Sequence, residues 1–307
     1  MCARFNLLVM IPAEANSRLR HWRHGCAVLV LLFAWPIFEI ARFALSDGLA
    51  SYILIVPAVS GWLVWQERGA MDWEFVAAPR LSLVFAALAL GLAASPWIVP
   101  GDTASHSRVA LSLWALAFVA GLTAVTGWIL GTKILRQVGF PLGFLVFLAP
   151  LPPPMIHTLE VGLQHASAEV SDWFFAWTGA SVFRQGLVFQ LPNITLEVAP
   201  ECSGLRSTLV LVMTSLIAGH LFLKRTWQRT LFTVLVIPLG IARNAFRILT
   251  IGWLCIEYGP AMIDSPIHHR GGPLFFGLSL LPLFALLYFF RRMEAPPKAV
   301  GNPPAKV

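Results

Sequence analysis

The stretch PECSGLRSTLVLVMTSLIAGHLFL, residues 200–223, begins as a polar turn and continues as an apolar run. The run is close to the roughly 20 residues that an α-helix needs to cross a bilayer. Cys202 comes just before the run, and Gly204 follows two residues later. A thiol at the end of a membrane helix is well placed to act as a nucleophile. The stretch therefore predicts a membrane helix that presents a cysteine at one membrane surface.

The composition of the whole chain is that of a membrane protein. Of its 307 residues, 57% are hydrophobic and 12% are charged, whereas soluble domains carry roughly 25% charged residues. The net charge of +7 does not indicate nucleic-acid binding, because the basic residues form short clusters between apolar runs, as membrane topology requires. The four cysteines lie far apart without CxxC spacing, which predicts neither a zinc site nor a disulfide framework. We expect no metal and no cofactor.

Eight apolar segments are candidate membrane spans. They lie at residues 26–45, 49–66, 81–99, 109–131, 138–156, 205–223, 230–256 and 273–290. The second is short for a span, and the fifth ends in three consecutive prolines. The pattern predicts an all-α polytopic membrane protein of about eight transmembrane helices, built as a single integral-membrane domain.

The basic residues orient these spans, because cytoplasmic segments of membrane proteins are enriched in lysine and arginine. With a cytoplasmic N-terminus, most of the 22 basic residues fall in cytoplasmic tails and loops. These are Arg4, Arg18, Arg20, Arg23, Arg68, Arg80, Lys133, Arg136, Lys224, Arg225, Arg229, Arg291, Arg292, Lys298 and Lys306. Both termini are therefore predicted to be cytoplasmic, with tails at 1–25 and 291–307 and an extracytoplasmic insertion at 157–204.

The insertion is long enough to fold on its own. From His157 to Ala176, apolar residues recur at near-helical spacing with acidic residues on the other side, which predicts an amphipathic helix at the membrane interface. These apolar residues are Leu159, Leu163, Ala166, Val170 and Phe174. Two short apolar runs at 187–189 and 194–196 then predict a small β-hairpin that leads into Cys202.

Cys202 is the first candidate for chemistry. If Ser203 and Gly204 begin a helix, its unpaired N–H groups can stabilise a thiolate or an oxyanion beside the sulfur. A buried, inert cysteine is the alternative, since free cysteines are commonly buried. The spacing alone favours neither interpretation.

Other polar residues lie in or beside the last two spans, where burying them is costly. Arg243 and Arg247 are four residues apart and share one helix face, with Asn244 beside them. The alternative to a functional role for the arginines is that they snorkel to the membrane interface. For His268 the alternative is a solvated turn without a function. In the predicted topology the thiol, the guanidinium and the imidazole reach the same membrane surface beside consecutive spans, a set suited to acyl transfer.

These residues resemble the exosortase/archaeosortase family of membrane cysteine transpeptidases. The family pattern is Cys-Ser-Gly at the start of a span, a proline followed six residues later by Asn-x-x-Arg in the next span, and a histidine or arginine with glycine four residues on. The chain has Cys202-Ser203-Gly204, Pro238 with Asn244-Ala245-Phe246-Arg247, and His268 with Gly272. The resemblance runs from about residue 30 to 290, and Glu201 departs from it, because the family commonly has a small residue before the cysteine.

The resemblance implies a catalytic set. Cys202 would be the nucleophile, Arg247 the cation that holds the thiolate or oxyanion, and His268 the general acid and base. Arg243 is the second candidate for the cation. Further residues that would support the site are Asn244, Ser203 and Gly204.

The resemblance also implies partners and a location. The substrates would be exported proteins whose C-terminal signal joins a Pro-Glu-Pro-type motif, a transmembrane helix and a basic tail. A lipid or glycan would accept the cleaved protein. The enzyme would lie among the lipids of a bacterial inner membrane, with its active site outside the cytoplasm and no nucleic acid as partner.

Two other classes of protein stay open. A transporter also uses intramembrane arginines, although the charged groups here gather near one surface rather than at the midplane, and no inverted repeat is visible. A non-catalytic membrane component of polysaccharide export or assembly would tolerate the loss of Cys202, whereas the enzyme would not.

Overall fold

The computed structural model describes residues 13–98, 103–192, 194–200, 203–265 and 271–294. Most of them are helical, and the chain divides into two compact units, residues 1–156 and 157–307. The predicted nucleophile Cys202, its neighbour Glu201 and the predicted acid and base His268 lie outside the described residues.

Unit 1 is built from α-helices and short 3₁₀ turns. Its helices are α1 (Ala13–Leu32), α2 (Ala34–Ser46), α3 (Val56–Glu67), α4 (Pro79–Ile98), α5 (Thr103–Ile129), α6 (Gly131–Gln137) and α7 (Gly139–Phe144). Its 3₁₀ turns are Ala50–Leu54, Arg68–Ala70 and Leu145–Leu148. α4 and α1 both pack on α5, and the Ser60 hydroxyl of α3 donates to the Pro141 carbonyl oxygen of α7 at 2.9 Å.

A polar corner connects the end of α2 to α5. The Asp47 carboxylate accepts the backbone N–H groups of Leu49 at 2.8 Å and Ala50 at 3.1 Å. It also pairs with the Arg108 guanidinium, which lies 4.8 Å from the centroid of the Phe43 ring. An isolated charge near a membrane helix is costly, and this pairing satisfies both charged groups.

A second group of charges joins the segment before α4 to α6. Lys133 Nζ lies 3.0 Å from a carboxylate oxygen of Asp72 and also pairs with Glu74. The pKa of Asp72 is lowered, mainly because its carboxylate accepts the backbone N–H of Glu74 and further because of Lys133. Since the pKa is lowered in the folded state, this stabilisation is present at neutral pH. It is lost as the pH falls below the ordinary aspartate value of about 3.9 and through the folded pKa.

Unit 2 combines helices with a small antiparallel sheet. Its elements are α8 (Pro153–Thr178), which starts just before the unit boundary, β1 (Phe183–Gln185), β2 (Val188–Gln190), β3 (Thr195–Glu197), α9 (Leu205–Phe222), α10 (Thr226–Tyr258) and α11 (Gly272–Glu294). The strand order is β1-β2-β3, so the region has three strands where the sequence predicted two. One core lies between α9, α10 and α11 around Phe232 and Leu283, and another joins α8 and the sheet to α10 around Phe175 and Phe189.

The face of α8 that is buried within unit 2 differs from the apolar stripe, which the sequence predicted to lie at the membrane interface. Leu159 is 39% exposed, and the other stripe residues are only partly buried: Leu163, Ala166, Val170 and Phe174. The buried residues are instead Gln164, Ser167, Ala168, Ser171 and Phe175. The helix therefore turns a mainly small and polar face toward the rest of unit 2, because those side chains make hydrogen bonds there.

The helices support a polytopic α-helical membrane protein, and they do not confirm the predicted count of eight spans. In the described part of the chain, five helices are long and apolar enough to cross a membrane, and counting each of two bent helix pairs as one span raises the number to seven. The pairs are α1 with α2, bent by 66°, and Gly139–Leu148 with α8. The predicted span 49–66 is a 3₁₀ turn followed by the 12 residues of α3. Hydropathy alone does not register such breaks in a helix.

Gly131 joins α5 to α6 with a backbone that suits glycine. Its φ is +86°, and a Cβ placed on it would lie 2.6 Å from the Val76 carbonyl oxygen, which accepts the Thr132 N–H at 2.9 Å. We expect Gly131→Ala to lower the free energy of unfolding by about 2 kcal/mol or more, through left-handed strain and this backbone clash. Thermal unfolding of the purified protein measures the loss.

Gly91→Ala is the control for this variant. Gly91 lies in α4 and has no atom within 4 Å of its Cβ position, so alanine there should be neutral or stabilising. Equal unfolding temperatures for the two variants would contradict the prediction.

Candidate active site

α9 begins at a glycine in the left-handed conformation. Gly204 has φ +77° and ψ 11°, and its carbonyl oxygen accepts the first hydrogen bond of the helix, from the Thr208 N–H at 3.0 Å. The N–H of the buried residue Ser203 donates to the Pro200 carbonyl oxygen at 3.0 Å, which closes a turn before the helix. Residues Ser203 and Gly204 thus form the described part of the predicted Cys-Ser-Gly motif.

Arg243 and Asn244 of α10 lie directly against Gly204. Nη2 of Arg243 donates to the Gly204 carbonyl oxygen at 3.5 Å. A Cβ placed on Gly204 would lie 2.9 Å from that nitrogen and 3.0 Å from Oδ1 of Asn244. Arg243 is 9% exposed and Asn244 1%. The missing side chain of Gly204 therefore leaves the space that a buried guanidinium and a buried amide occupy.

Asn244 also connects α10 to α8. Its Nδ2 donates to the Ser167 hydroxyl at 3.1 Å. The Ser171 hydroxyl, one turn further along α8, bonds the Ser167 carbonyl oxygen at 2.7 Å and the Ala245 carbonyl oxygen of α10 at 3.4 Å. Ser167 and Ser171 are fully buried. Because buried polar groups are costly unless they are paired, these bonds specify how α8 packs on α10.

Gln164 of α8 holds the segment that leads from the sheet to the turn. Its Nε2 donates to the Val198 carbonyl oxygen at 2.7 Å, and the Val198 N–H donates to the Leu187 carbonyl oxygen at 3.0 Å. The buried face of α8 thus positions both sides of the site, the incoming chain through Gln164 and α10 through Ser167.

The structure brings some of the predicted site residues together. Gly204, Arg243 and Asn244 are in contact, and Ser203 is part of the same turn. Arg247, which the sequence favoured as the cation, lies one helical turn beyond Arg243 on the same side of α10 and is half-buried. Arg243, the second candidate, contacts Gly204.

The polar residues of α8 do not stand out in the sequence. Gln164, Ser167 and Ser171 are uncharged, so a search for ionisable residues in membrane spans passes over them. Their separations of three and four residues, continued by Phe175, mark one helix face. That periodicity of small and polar residues is the signal that finds them.

The chain belongs to the transmembrane exosortase family, whose family model matches residues 44–285. The match covers most of the chain and includes the Gly204 turn and the arginines of α10. No curated protein and no solved structure matches the chain. Family membership makes a sorting transpeptidase the general class, and together with the apolar helices it makes the chain a multi-pass membrane protein.

We expect Gly204→Ala to destabilise the protein by more than backbone strain alone. The left-handed conformation costs alanine about 1–2 kcal/mol, and the new Cβ must also displace the Arg243 and Asn244 side chains. Overpacking of this kind adds about 1 kcal/mol or more. Gly186→Ala is the matched control, because Gly186 has φ +63° but no atom within 4 Å of its Cβ position. Unfolding of both variants is measured in parallel, and equal losses would refute the close contact.

The Asn244–Ser167 hydrogen bond can be measured by a double-mutant cycle. We expect Asn244→Ala and Ser167→Ala to show a coupling free energy of about 1 kcal/mol, since each removes the buried partner of the other. The control cycle pairs Asn244→Ala with Ser215→Ala, whose hydroxyl bonds the Val212 carbonyl oxygen within α9. That cycle should be additive. Additivity in both cycles would contradict the proposed link between α8 and α10.

Proposed function

We propose that the chain is a membrane cysteine protease and transpeptidase that cleaves the C-terminal sorting signal of exported proteins and transfers the product to an acceptor. The observation that carries the proposal is the contact of Arg243 and Asn244 with Gly204. It brings a cationic face of α10 to the turn that Cys202 precedes by two residues in the sequence. Membership of the exosortase family supports the same class of reaction.

In the proposed reaction, the Cys202 thiolate attacks the carbonyl carbon of the scissile peptide, and a C–S bond forms. The Arg247 guanidinium and the N–H groups at the start of α9 stabilise the oxyanion of the tetrahedral intermediate. His268 protonates the departing amine as the C–N bond breaks, which leaves a thioester on Cys202. An amine or hydroxyl of a lipid or glycan acceptor then attacks the thioester, gives its proton to His268 and releases the thiolate.

The two arginines have different tasks in this proposal. Arg243 is strongly buried and donates to the Gly204 carbonyl oxygen, so its task is to hold the turn. α9 and α10 are antiparallel, with Gly240 against Thr208 deeper in the pair. Arg247 lies further along α10 than the residues that contact Gly204. That part of α10 therefore lies toward the N-terminal end of α9, where the chain enters the helix. This direction supports Arg247 as the group for the thiolate and the oxyanion.

The proposed substrates join a Pro-Glu-Pro-type motif, a transmembrane helix and a basic tail. The distribution of basic residues supports cytoplasmic termini and a Cys202 turn on the outer face of a bacterial inner membrane. A signal helix with its basic tail inside obeys the same rule, so it would present its motif on the outer face. The thiol and the peptide to be cleaved would thus meet at one surface.

We expect Cys202→Ala to leave the precursor uncleaved in the membrane, because the nucleophile is lost. Cys255→Ala is the matched control, since Cys255 is a free, buried cysteine of α10 and should be dispensable for processing. Immunoblots of a tagged exported protein with the three-part tail follow the cleavage in cells. Normal processing with a stably expressed Cys202→Ala variant would refute the enzyme and favour a transporter or a non-catalytic assembly component.

Variants of the two arginines should differ in their effects on the cleavage rate and on the unfolding temperature. We expect Arg247→Gln to slow cleavage by about 10²–10³-fold, as removal of an oxyanion donor does, with little change in the unfolding temperature. Arg243→Gln should lower both the cleavage rate and the unfolding temperature, because the Gly204 turn loses its partner. An active Arg247→Gln protein beside a stable but inactive Arg243→Gln protein would reverse the assignment.

A further inference from the structure

Unit 1 contains a large apolar cavity that the proposed reaction does not use. Its volume is about 970 Å³, at the upper end of the range of about 300–1,000 Å³ for ligand pockets. Side chains of α1, α2, α3, α5, α6 and α7 line it. Along α5 and the residue that follows it, the lining runs from Trp114 to Leu130, a rise of about 24 Å at 1.5 Å per residue. The cavity is therefore nearly as long as the hydrocarbon core of a bilayer, about 30 Å.

One end of the cavity carries cationic and aromatic groups. Arg23 of α1, and Arg68, Trp65 and Trp73 at and after the end of α3, belong to the lining. The Arg68 guanidinium lies 4.5 Å from the centroid of the Trp65 ring. Two guanidinium groups at one end of an apolar cavity form a set that suits a phosphate group.

Contacts within unit 1 place these groups at the same end. The indole of Trp22, next to Arg23, donates to the Thr126 hydroxyl near the C-terminal end of α5 at 3.1 Å. Asp72, next to Trp73, pairs with Lys133 of α6, which follows α5 directly. The basic residues predict this end to be cytoplasmic, at the depth where phospholipid headgroups lie.

The charge of the lining decides between occupants. The cavity is apolar and partly open to its surroundings, so the hydrocarbon of the membrane can enter it. A transmembrane helix about 10–12 Å wide and as long as the cavity has a volume of roughly 2,000 Å³ or more, and the open space of about 2380 Å³ does not exclude it. The basic tail of such a helix would, however, meet Arg23 and Arg68, whereas a phosphate group is attracted to them.

We infer that this cavity binds an anionic phospholipid of the membrane, with the phosphate at Arg23 and Arg68 and the acyl chains along α5. The site lies in unit 1 and is independent of the proposed transpeptidase reaction. The lipid occupies the space between α1, α3 and α5 that the described side chains leave open.

The charged end is tested by lipid titration of the purified full-length protein, followed by native mass spectrometry. Phosphatidylglycerol is compared with phosphatidylethanolamine of the same chain length. We expect the Arg23→Gln/Arg68→Gln protein to bind phosphatidylglycerol about 25-fold more weakly, about fivefold per arginine. The control is Arg20→Gln/Arg80→Gln, which removes the same charge from exposed residues outside the cavity lining and should change the affinity less than threefold.

The role of the apolar part of the cavity is tested by a substitution that fills it with a larger side chain. Gly61 lines the cavity and has no atom within 4 Å of its Cβ position, so Gly61→Phe puts a ring into the lipid volume without a clash at Cβ. We expect this variant to bind both lipids at least tenfold more weakly and to keep its unfolding temperature. Gly91→Phe, in equally open space on α4 outside the lining, is the matched control and should bind as the unaltered protein does.

Three results would overturn the inference. They are equal binding of the two lipids by the unaltered protein, equal affinities of the Arg23→Gln/Arg68→Gln protein and its control, and displacement of the bound lipid by a transmembrane peptide with a basic tail. The last result would assign the cavity to a helix. If Gly61→Phe unfolds, the arginine variants still decide the outcome.

Discussion

The contact of Arg243 and Asn244 with the Gly204 turn is the constraint on which unit 2 depends. A guanidinium and an amide buried in an apolar helix pair need partners, because unpaired polar groups in such surroundings are costly. The Gly204 carbonyl oxygen accepts from Arg243, and Ser167 accepts from Asn244. A Cβ on residue 204 would crowd both side chains. Gly204 of the Cys-Ser-Gly motif and the polar residues Arg243 and Asn244 of α10 thus form one contact.

This contact explains the polar face of α8. The amide of Asn244 faces α8, and the hydroxyls of Ser167 and Ser171 bond groups on both helices. Small side chains let helix backbones approach closely, and hydroxyls satisfy the polar groups that the approach buries. α8 is therefore an internal support of the site rather than a helix attached by its apolar stripe. Through Gln164 it also holds the chain that leads to the turn.

Unit 1 handles polarity differently, by pairing charged residues near helix ends with one another. Asp47 pairs with Arg108, and Lys133 pairs with Asp72 and Glu74. The helices also line a partly open apolar volume. In a soluble protein, side chains would collapse into such a volume, whereas in a bilayer the surrounding lipid is apolar and can occupy it.

The sequence by itself determined the class of membrane protein, the family and the candidate residues, because composition, span-length apolar runs and the spacing of Cys202, Asn244 and Arg247 are local properties. Only the tertiary structure decided which of the described helices are unbroken, the third strand, the contact of Arg243 with Gly204, and the buried face of α8. The physical reason is that lipid is as apolar as leucine, so hydrophobic periodicity does not mark the buried face of a membrane helix. Long-range packing and hydrogen bonding mark it, and these depend on residues far apart in the chain.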